Sequence, residues 1–541
     1  MSYPGIGTWP ARRRARTPDK TALVFGEESF TYREFADAAD RVAALLALHG
    51  IGRGDAVAYV GENSPEFLFT LFGAARLGAV FVPVNTRLAP PEVTHVLADS
   101  GTRLVICDPE LWDKVAPGIE ERGITSAIPT GHGDEADPGL TRLLGEIDAN
   151  AAPVEDAGAP DDPVVYMYTS GTTGRAKGAV LTNANLTWVS LNCILDYDLL
   201  SSEVALLISP LFHAAALGMG ALPLVLKGGT IVLERRFDPG RALSLIQRHG
   251  VTMLSGVPTT YQLLADHPDW AATDLSSLRR LTCGGSAVPT RILDIYEARG
   301  LSFTQGYGMT ETSPGHTALT AEHTRDKQGS VGLPHFFSAV RIAGDDGRPA
   351  EVGEVGEIEA RGPNVFPGYL NLPEVNAAAF TDDGWFRTGD MGYLDAEGFL
   401  FIADRLKDLI ISGGENIYPA EVENHLFDIE GVTGVAVIGV PDEKWGEVPW
   451  AVLTVQPGVE VSTQDVQEHL AGRIARFKIP KNVVIVDELP RTASGKVRKA
   501  DLRARFGGAA AATTRPIGTG IPWQTETVRT VGENPVARRR R

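Results

Sequence analysis

The stretch Thr169-Ser-Gly-Thr-Thr-Gly-Arg-Ala-Lys-Gly178 decides how the rest of this chain is read. It follows an apolar run, Val164-Val-Tyr-Met-Tyr168, which predicts a strand ending in a turn of glycine and hydroxyl residues. Glycines at 171, 174 and 178 let backbone amides come close to a ligand. Thr169, Ser170, Thr172 and Thr173 add hydroxyl donors, and Lys177 adds a positive charge. Such a turn grips phosphate. It is not the common P-loop, in which lysine directly follows glycine and precedes Ser or Thr. Here Lys177 stands between Ala176 and Gly178, which argues against an ordinary NTPase. A solvated linker is the plain alternative, and the motifs downstream weigh against it.

A chain of 541 residues is too long for one ordinary core, so two or more domains are expected. The 43% hydrophobic content suits a soluble globular protein, and no apolar run approaches the roughly 20 residues of a membrane span. Arg12-Arg-Arg14 and Arg16 lack the apolar segment of a secretory signal, so a cytoplasmic location is expected. Cys107, Cys193 and Cys283 are far apart and read as buried free thiols; they offer no zinc spacing. A net charge of −18 weighs against nucleic acid as a partner. Between Arg473 and Arg505, however, ten Lys/Arg face three Asp/Glu, so an anionic ligand is expected there. Oligomeric state is left open, with a homodimer as one option.

The first 160 residues alternate helix and strand. One helix carries Phe35, Ala39, Val42 and Leu46 and stops near Gly50; the strands Ala56–Val60 and Val80–Val84 follow, with a helix from Glu66 to Leu77 between them. This alternation indicates a layered α/β core. The segment 134–162, rich in Ala, Gly, Pro and acids, reads as a surface connection. From Val331 to Phe401 short alternating runs between Gly, Pro and Asp suggest a smaller β-rich subdomain. Mixed α/β patterning returns after Asp404, and residues 507–541 lack apolar periodicity and read as a disordered tail.

Tyr307-Gly-Met-Thr-Glu-Thr312 sets an aromatic, a hydroxyl and a carboxylate on one short turn. Tyr307 can stack on a purine, Thr310 can reach phosphate, and Glu311 can hold Mg²⁺. Trp385-Phe-Arg-Thr-Gly-Asp390 ends in a carboxylate suited to accept from the two hydroxyls of a ribose. Asp404-Arg-Leu-Lys-Asp-Leu-Ile-Ile-Ser-Gly-Gly-Glu-Asn416 and Pro490-Arg-Thr-Ala-Ser-Gly-Lys-Val-Arg-Lys499 add two charged, glycine-containing segments. Each could be an ordinary surface loop.

In this order, over residues 20 to 506, the set resembles the adenylate-forming superfamily of acyl-CoA synthetases, adenylation domains and luciferases. The resemblance implies a large N-terminal domain over residues 1–403, a hinge at 404–407 centred on Lys407, and a small mobile α+β lid over 408–506. It implies ATP, Mg²⁺ and coenzyme A as cosubstrates, with a carboxylic acid activated as acyl-AMP and passed to a thiol. The loop Thr169, Ser170, Gly171, Thr172, Thr173, Gly174 and Lys177 would hold the β and γ phosphates, Thr310 the α-phosphate, and Thr172 with Glu311 the metal. Gly284 with Gly285, Ser286 and Ala287 would frame adenine beside Tyr307, and Asp390 with Arg405 would hold the ribose. Lys496 would bridge substrate and α-phosphate during adenylation only. Ser412, Gly413 and Gly414 would line the pantetheine tunnel, and Trp445, Phe477 and Lys481, with Arg87, would meet the coenzyme A nucleotide. The chain departs from related ligases at Ile479 and Ile411, where a basic residue is used.

Pro210-Leu-Phe-His-Ala-Ala-Ala-Leu-Gly-Met-Gly220 bears on the acid. By resemblance His213 stands at the mouth of the acyl pocket; a satisfied core histidine is the alternative. There is no aspartate here for an amino-acid ammonium, and no charge from His213 to Leu226 for a dicarboxylate. Medium- or long-chain fatty acids are the first expectation and aryl or cinnamate-like acids the second. A fatty acyl-AMP ligase loading a carrier protein is a further alternative.

Overall fold

The computed structural model describes residues 5–131, 139–151, 158–169, 175–284, 288–344, 348–405, 408–412, 415–442, 445–471, 473–491 and 497–507. The helix Tyr32–Leu48 shows how its layers are built. The Thr31 hydroxyl accepts from the Glu34 amide while the Glu34 carboxylate accepts from the Thr31 amide at 2.8 Å, a reciprocal cap. Phe35, Ala39, Val42 and Leu46 then recur at helical spacing and are buried, each large one contributing about 1.5–3 kcal/mol. Gly50, at φ +73°, turns the chain out.

This helix packs on Pro65–Arg76 and itself meets the strands Thr21–Phe25 and Glu28–Thr31, while Pro65–Arg76 lies against a six-stranded sheet. Its order is Ser126–Pro129, Thr102–Cys107, Ala56–Val60, Val80–Pro83 and Pro163–Thr169 (β1), all parallel, then Lys177–Thr182 (β2) antiparallel to β1. The helix Asn183–Asp196 (α1) follows directly.

A thirteen-stranded sheet forms the second layer. Six strands are parallel: Thr21–Phe25, Thr230–Leu233, Val204–Leu207, Met253–Gly256, Arg280–Gly284 and Phe303–Tyr307 (β3). Beyond β3 the direction alternates through Thr317–Leu319 (β4) and Ser330–Pro334 (β5) to a meander holding Phe386–Leu394 (β6) and Leu400–Arg405 (β7). The β-rich texture from Val331 onward therefore continues the larger sheet, because β5 pairs with both β4 and β7.

One expectation is corrected. The connection 134–162 contains the helix Leu140–Glu146, whose Leu140 and Leu144 enter the core beneath Tyr32–Leu48. Their spacing of four is helical, but polar and glycine-rich neighbours mask it in the sequence. All three cysteines are buried and free.

The C-terminal part is α+β. Gly446–Val455 (β8) pairs with Val432–Asp442, with Asn482–Ile485 and, at one end, with Ile410–Ser412. Pro419–Leu426 and Thr463–Leu470 contribute Val422, Leu426 and Val466 to its core. No described helix is long and apolar enough to cross a membrane. The 508–541 tail lies outside the described residues.

Candidate active site

β1 and β2 form a hairpin whose last facing pair is Thr169 and Lys177. The connecting Ser170, Gly171, Thr172, Thr173 and Gly174 lie outside the described residues. A strand, not a helix, follows the loop, so no helix N-terminus stands at its C-terminal end. The helix Pro90–Asp99 anchors the stem. His95 Nε2 lies 2.9 Å from the Ala176 carbonyl oxygen, and the Tyr168 hydroxyl donates to Asp99 at 2.8 Å.

The turn after β3 is packed too tightly for any residue but glycine at 308, since a Cβ there would fall 1.5 Å from the Pro314 oxygen. Asn364 clamps the same turn, its amide donating to Thr312 O at 3.0 Å and Gly315 O at 2.8 Å. The clamp holds the short 3₁₀ turn Thr310–Thr312 with Thr310 half-buried and Glu311 only 6% exposed.

Tyr369 links this turn to the hairpin. Its hydroxyl donates to Glu311 Oε1 at 2.7 Å, and Lys177 Nζ stands 5.1 Å from the centre of its ring. Burial, and then the neighbouring carboxylate, hold the Tyr369 proton in place well above the usual phenol range. The backbone fixes the tyrosine beside β2, through Val180 N to Gly368 O and Leu370 N to Gly178 O.

Tyr307, at the end of β3, donates its hydroxyl to Asp390 Oδ2 at 2.7 Å. Asp390 lies on β6 and is 5% exposed, and its backbone faces Arg405 of β7. The Arg405 side chain lies outside the described residues, as do Gly285, Ser286 and Ala287. Gly284 is placed opposite Gly306, one residue before Tyr307. Thr169, Lys177, Thr310, Glu311, Tyr307 and Asp390 are thus linked in one region by Tyr369 and the turn after β3.

His213 is half-buried with the Phe212 ring 4.8 Å away, and it precedes a π-helical turn, Ala215–Ala221. The π-turn presses on the clamped segment, since a Cβ on Gly218 would lie 2.4 Å from Ser313 O. Wide turns of this kind often mark functional sites. His316, fully buried in the same segment, shares a hydrogen bond with Ala339 O at 2.9 Å, and desolvation lowers it to about 4.

The residues expected to meet coenzyme A separate into two places. Ser412 pairs with Gly446, next to Trp445, which is 45% exposed. Lys481 is exposed beside Pro449, four residues further along, which is roughly 13 Å down the strand. Phe477 packs on the C-terminal core with Ile479, and Arg87 is exposed. Lys407, Gly413, Gly414, Lys496 and the Ile411 side chain lie outside the described residues; Arg491 and Val497 bridge on either side of the Lys496 segment. Sequence reasoning missed Tyr369, His95 and Asn364. Only Gly368-Tyr369, an aromatic after glycine like Gly306-Tyr307, carried a visible signal.

Comparison with known proteins agrees with this geometry. The family model of AMP-binding enzymes matches residues 11–370, and that of the AMP-binding enzyme C-terminal domain matches 421–496. A feruloyl-CoA synthase from Amycolatopsis sp is 48% identical over 94% of this chain and 100% of its own length. The long-chain-fatty-acid–CoA ligase FadD13 of Mycobacterium tuberculosis is 38% identical over 92% and 98%. The crystal structure of ATP-bound MatB from Rhodopseudomonas palustris superposes with a TM-score of 0.87 at 32% identity, covering 94% of this chain and all of that one. The chain belongs to the AMP-binding enzymes of the adenylate-forming superfamily, and within them it is an ATP-dependent acid–CoA ligase that uses ATP, Mg²⁺ and coenzyme A.

Proposed function

We propose that the acid is aromatic, of the hydroxycinnamate type. The observation that carries this reading is the full-length likeness to a feruloyl-CoA synthase, at 48% identity against 38% for the fatty-acid ligase. The uncharged π-turn of Ala, Leu, Gly and Met beside His213 supports it, since a flat apolar ring needs a wall without a counter-ion. This order reverses the one expected from sequence alone. Fatty acids remain the second reading, carried by the likeness to FadD13.

We assign the roles as follows. The hairpin loop with Lys177 holds the β and γ phosphates, Thr310 donates to the α-phosphate, and Asp390 accepts from the ribose hydroxyls with Tyr307 alongside. Glu311, with Thr172, offers the metal an oxygen ligand. A buried carboxylate fits a hard cation, and no described cluster of three metal-ligating side chains is present, which suits an ion that takes its other ligands from phosphate and water. When bound, magnesium would neutralise phosphate charge.

A carboxylate oxygen of the acid bonds to the α-phosphorus while the bond to the pyrophosphate oxygen breaks. The thiol then releases its proton to solvent and its sulfur bonds to the acyl carbon as AMP leaves with the electron pair of the anhydride bond. No side chain needs to bond to the substrate, so positioning and charge stabilisation by Lys177, Thr310 and Lys496 supply the catalysis. His213 would gate the acyl pocket. Residues 1–403 would form the larger domain, 404–407 the hinge about Lys407, and 408–506 the lid carrying Ser412, Trp445, Phe477 and Lys481 to coenzyme A.

The test is AMP and thioester release from ATP, Mg²⁺, coenzyme A and a panel of ferulate, 4-hydroxycinnamate, benzoate, octanoate and palmitate. Ferulate or 4-hydroxycinnamate should lead. Faster turnover of a fatty acid than of every aromatic acid would replace this reading with the second.

A further inference from the structure

We infer that His335, held by Asp196, selects a hydroxyl group at the far end of the acid; the inference rests on the aromatic-acid reading above. His335 follows β5 directly, and its amide donates to His316 O at 3.0 Å. The side chain is 1% exposed, and Nδ1 lies 2.5 Å from Oδ2 of Asp196, the last residue of α1. The same carboxylate oxygen accepts from the Phe336 amide at 3.1 Å, so it cannot turn away. A carboxylate here only accepts. In the neutral ring Nδ1 therefore carries the proton, and Nε2 presents a lone pair.

That Nε2 is buried and has no hydrogen-bond partner. It faces Gly315, where a Cβ would lie 3.2 Å from Nε2 and 3.1 Å from the methyl carbon of Met219. Gly315 belongs to the clamped segment that carries Glu311, and Met219 to the uncharged π-turn beside His213. Nε2 thus lies where the Glu311 segment meets the π-turn assigned to the acid. Ser313 Oγ, fully buried in the same segment, is a second polar atom without a partner. Tyr197 packs its ring 5.7 Å from His335, and its hydroxyl lies 3.3 Å from the position of a Cβ on Gly306.

Tyr307, Thr317 and Pro334 are register partners across β3, β4 and β5, so His335 stands roughly 10 Å from the Tyr307 backbone, comparable with the length of a hydroxycinnamate. A buried acceptor left unpaired is costly, and a ligand that brings a donor recovers that cost. A phenol keeps its proton at neutral pH and is such a donor, whereas an alkyl chain, a methyl ether or a carboxylate is not.

The experiment compares kcat/KM for 4-hydroxycinnamate, 4-methoxycinnamate and cinnamate. The wild-type enzyme should favour the hydroxylated acid about 10- to 100-fold over both others. His335→Leu should bring that ratio close to one, chiefly through loss on the hydroxylated acid. His335→Gln, which keeps an acceptor, should retain part of it. A merely structural histidine would lower all three acids together and leave the ratio intact, which overturns the proposal. Equal use of the acids by the wild-type enzyme also overturns it, without any variant. Turnover of octanoate with none of any aromatic acid would instead defeat the aromatic reading itself, and this inference with it.

Discussion

Protonating His316 should loosen the turn that carries Glu311. Nε2 of this ring donates to Ala339 O, and Nδ1 faces the Asn364 amide nitrogen at 3.3 Å, so an added proton on Nδ1 would set donor against donor. Desolvation lowers the group from 6.5 to about 4. The unfolded chain therefore takes up the proton first, so the stabilisation is complete above about pH 6.5 and is lost progressively as pH falls toward 4. By pH 5 the loss from this one group is about 2 kcal/mol. His316→Gln removes the titration, and unfolding by urea followed by tryptophan fluorescence gives the comparison. The stability gap between wild type and variant should narrow by about 2 kcal/mol between pH 7.5 and pH 5. A gap that stays constant across that range would refute the reasoning, because it would mean that the folded protein accepts the proton as readily as the unfolded one.

Tyr369→Phe keeps the ring beneath Lys177 and removes the donor to Glu311; the Mg²⁺ concentration for half-maximal adenylation should change by about 10- to 100-fold, and an unchanged value would separate Tyr369 from the metal site. Asp390→Asn should raise the KM for ATP about tenfold while leaving that for the acid nearly untouched, as measured by pyrophosphate release. Gly308→Ala cannot place its methyl group beside Pro314 O, and thermal unfolding should register a loss of about 3 kcal/mol or an insoluble product. Lys496→Ala should abolish adenylation yet retain thioester formation from supplied acyl-AMP, and a parallel fall in both half-reactions would remove the lysine from the first step.

Much of the fold was legible because period and punctuation agree. Thr31 and Glu34 cap a helix whose apolar face repeats faithfully, and the strand Ala56–Val60 lies where its uninterrupted apolar run places it. The helix Leu140–Glu146 was hidden because its core contacts come from two leucines set among polar and glycine residues. In the site, motif residues with distinctive neighbours, such as Lys177, Tyr307, Glu311 and Asp390, could be read in advance. Their linker Tyr369 could not, since what it does depends on a backbone pairing between Gly178 and Leu370, 192 residues apart in sequence. His335 was invisible for the same reason: nothing local marks it, and its meaning comes from Asp196 on α1 and from the absent side chain at Gly315.

The pairing of Tyr307 with Asp390 has a consequence for how this protein comes into being. During synthesis the chain emerges from its amino end, and every parallel strand of the large sheet is available by residue 307. The acceptor for that tyrosine is not made until 83 residues later, on a strand of the antiparallel margin. A nascent or truncated chain that stops at residue 370 would thus possess the hairpin and the Glu311 carboxylate but not Asp390, the proposed ribose acceptor. On the proposed assignment the nucleotide pocket stays incomplete until that margin is present, so competence to bind nucleotide would report that the chain has been made through Asp390.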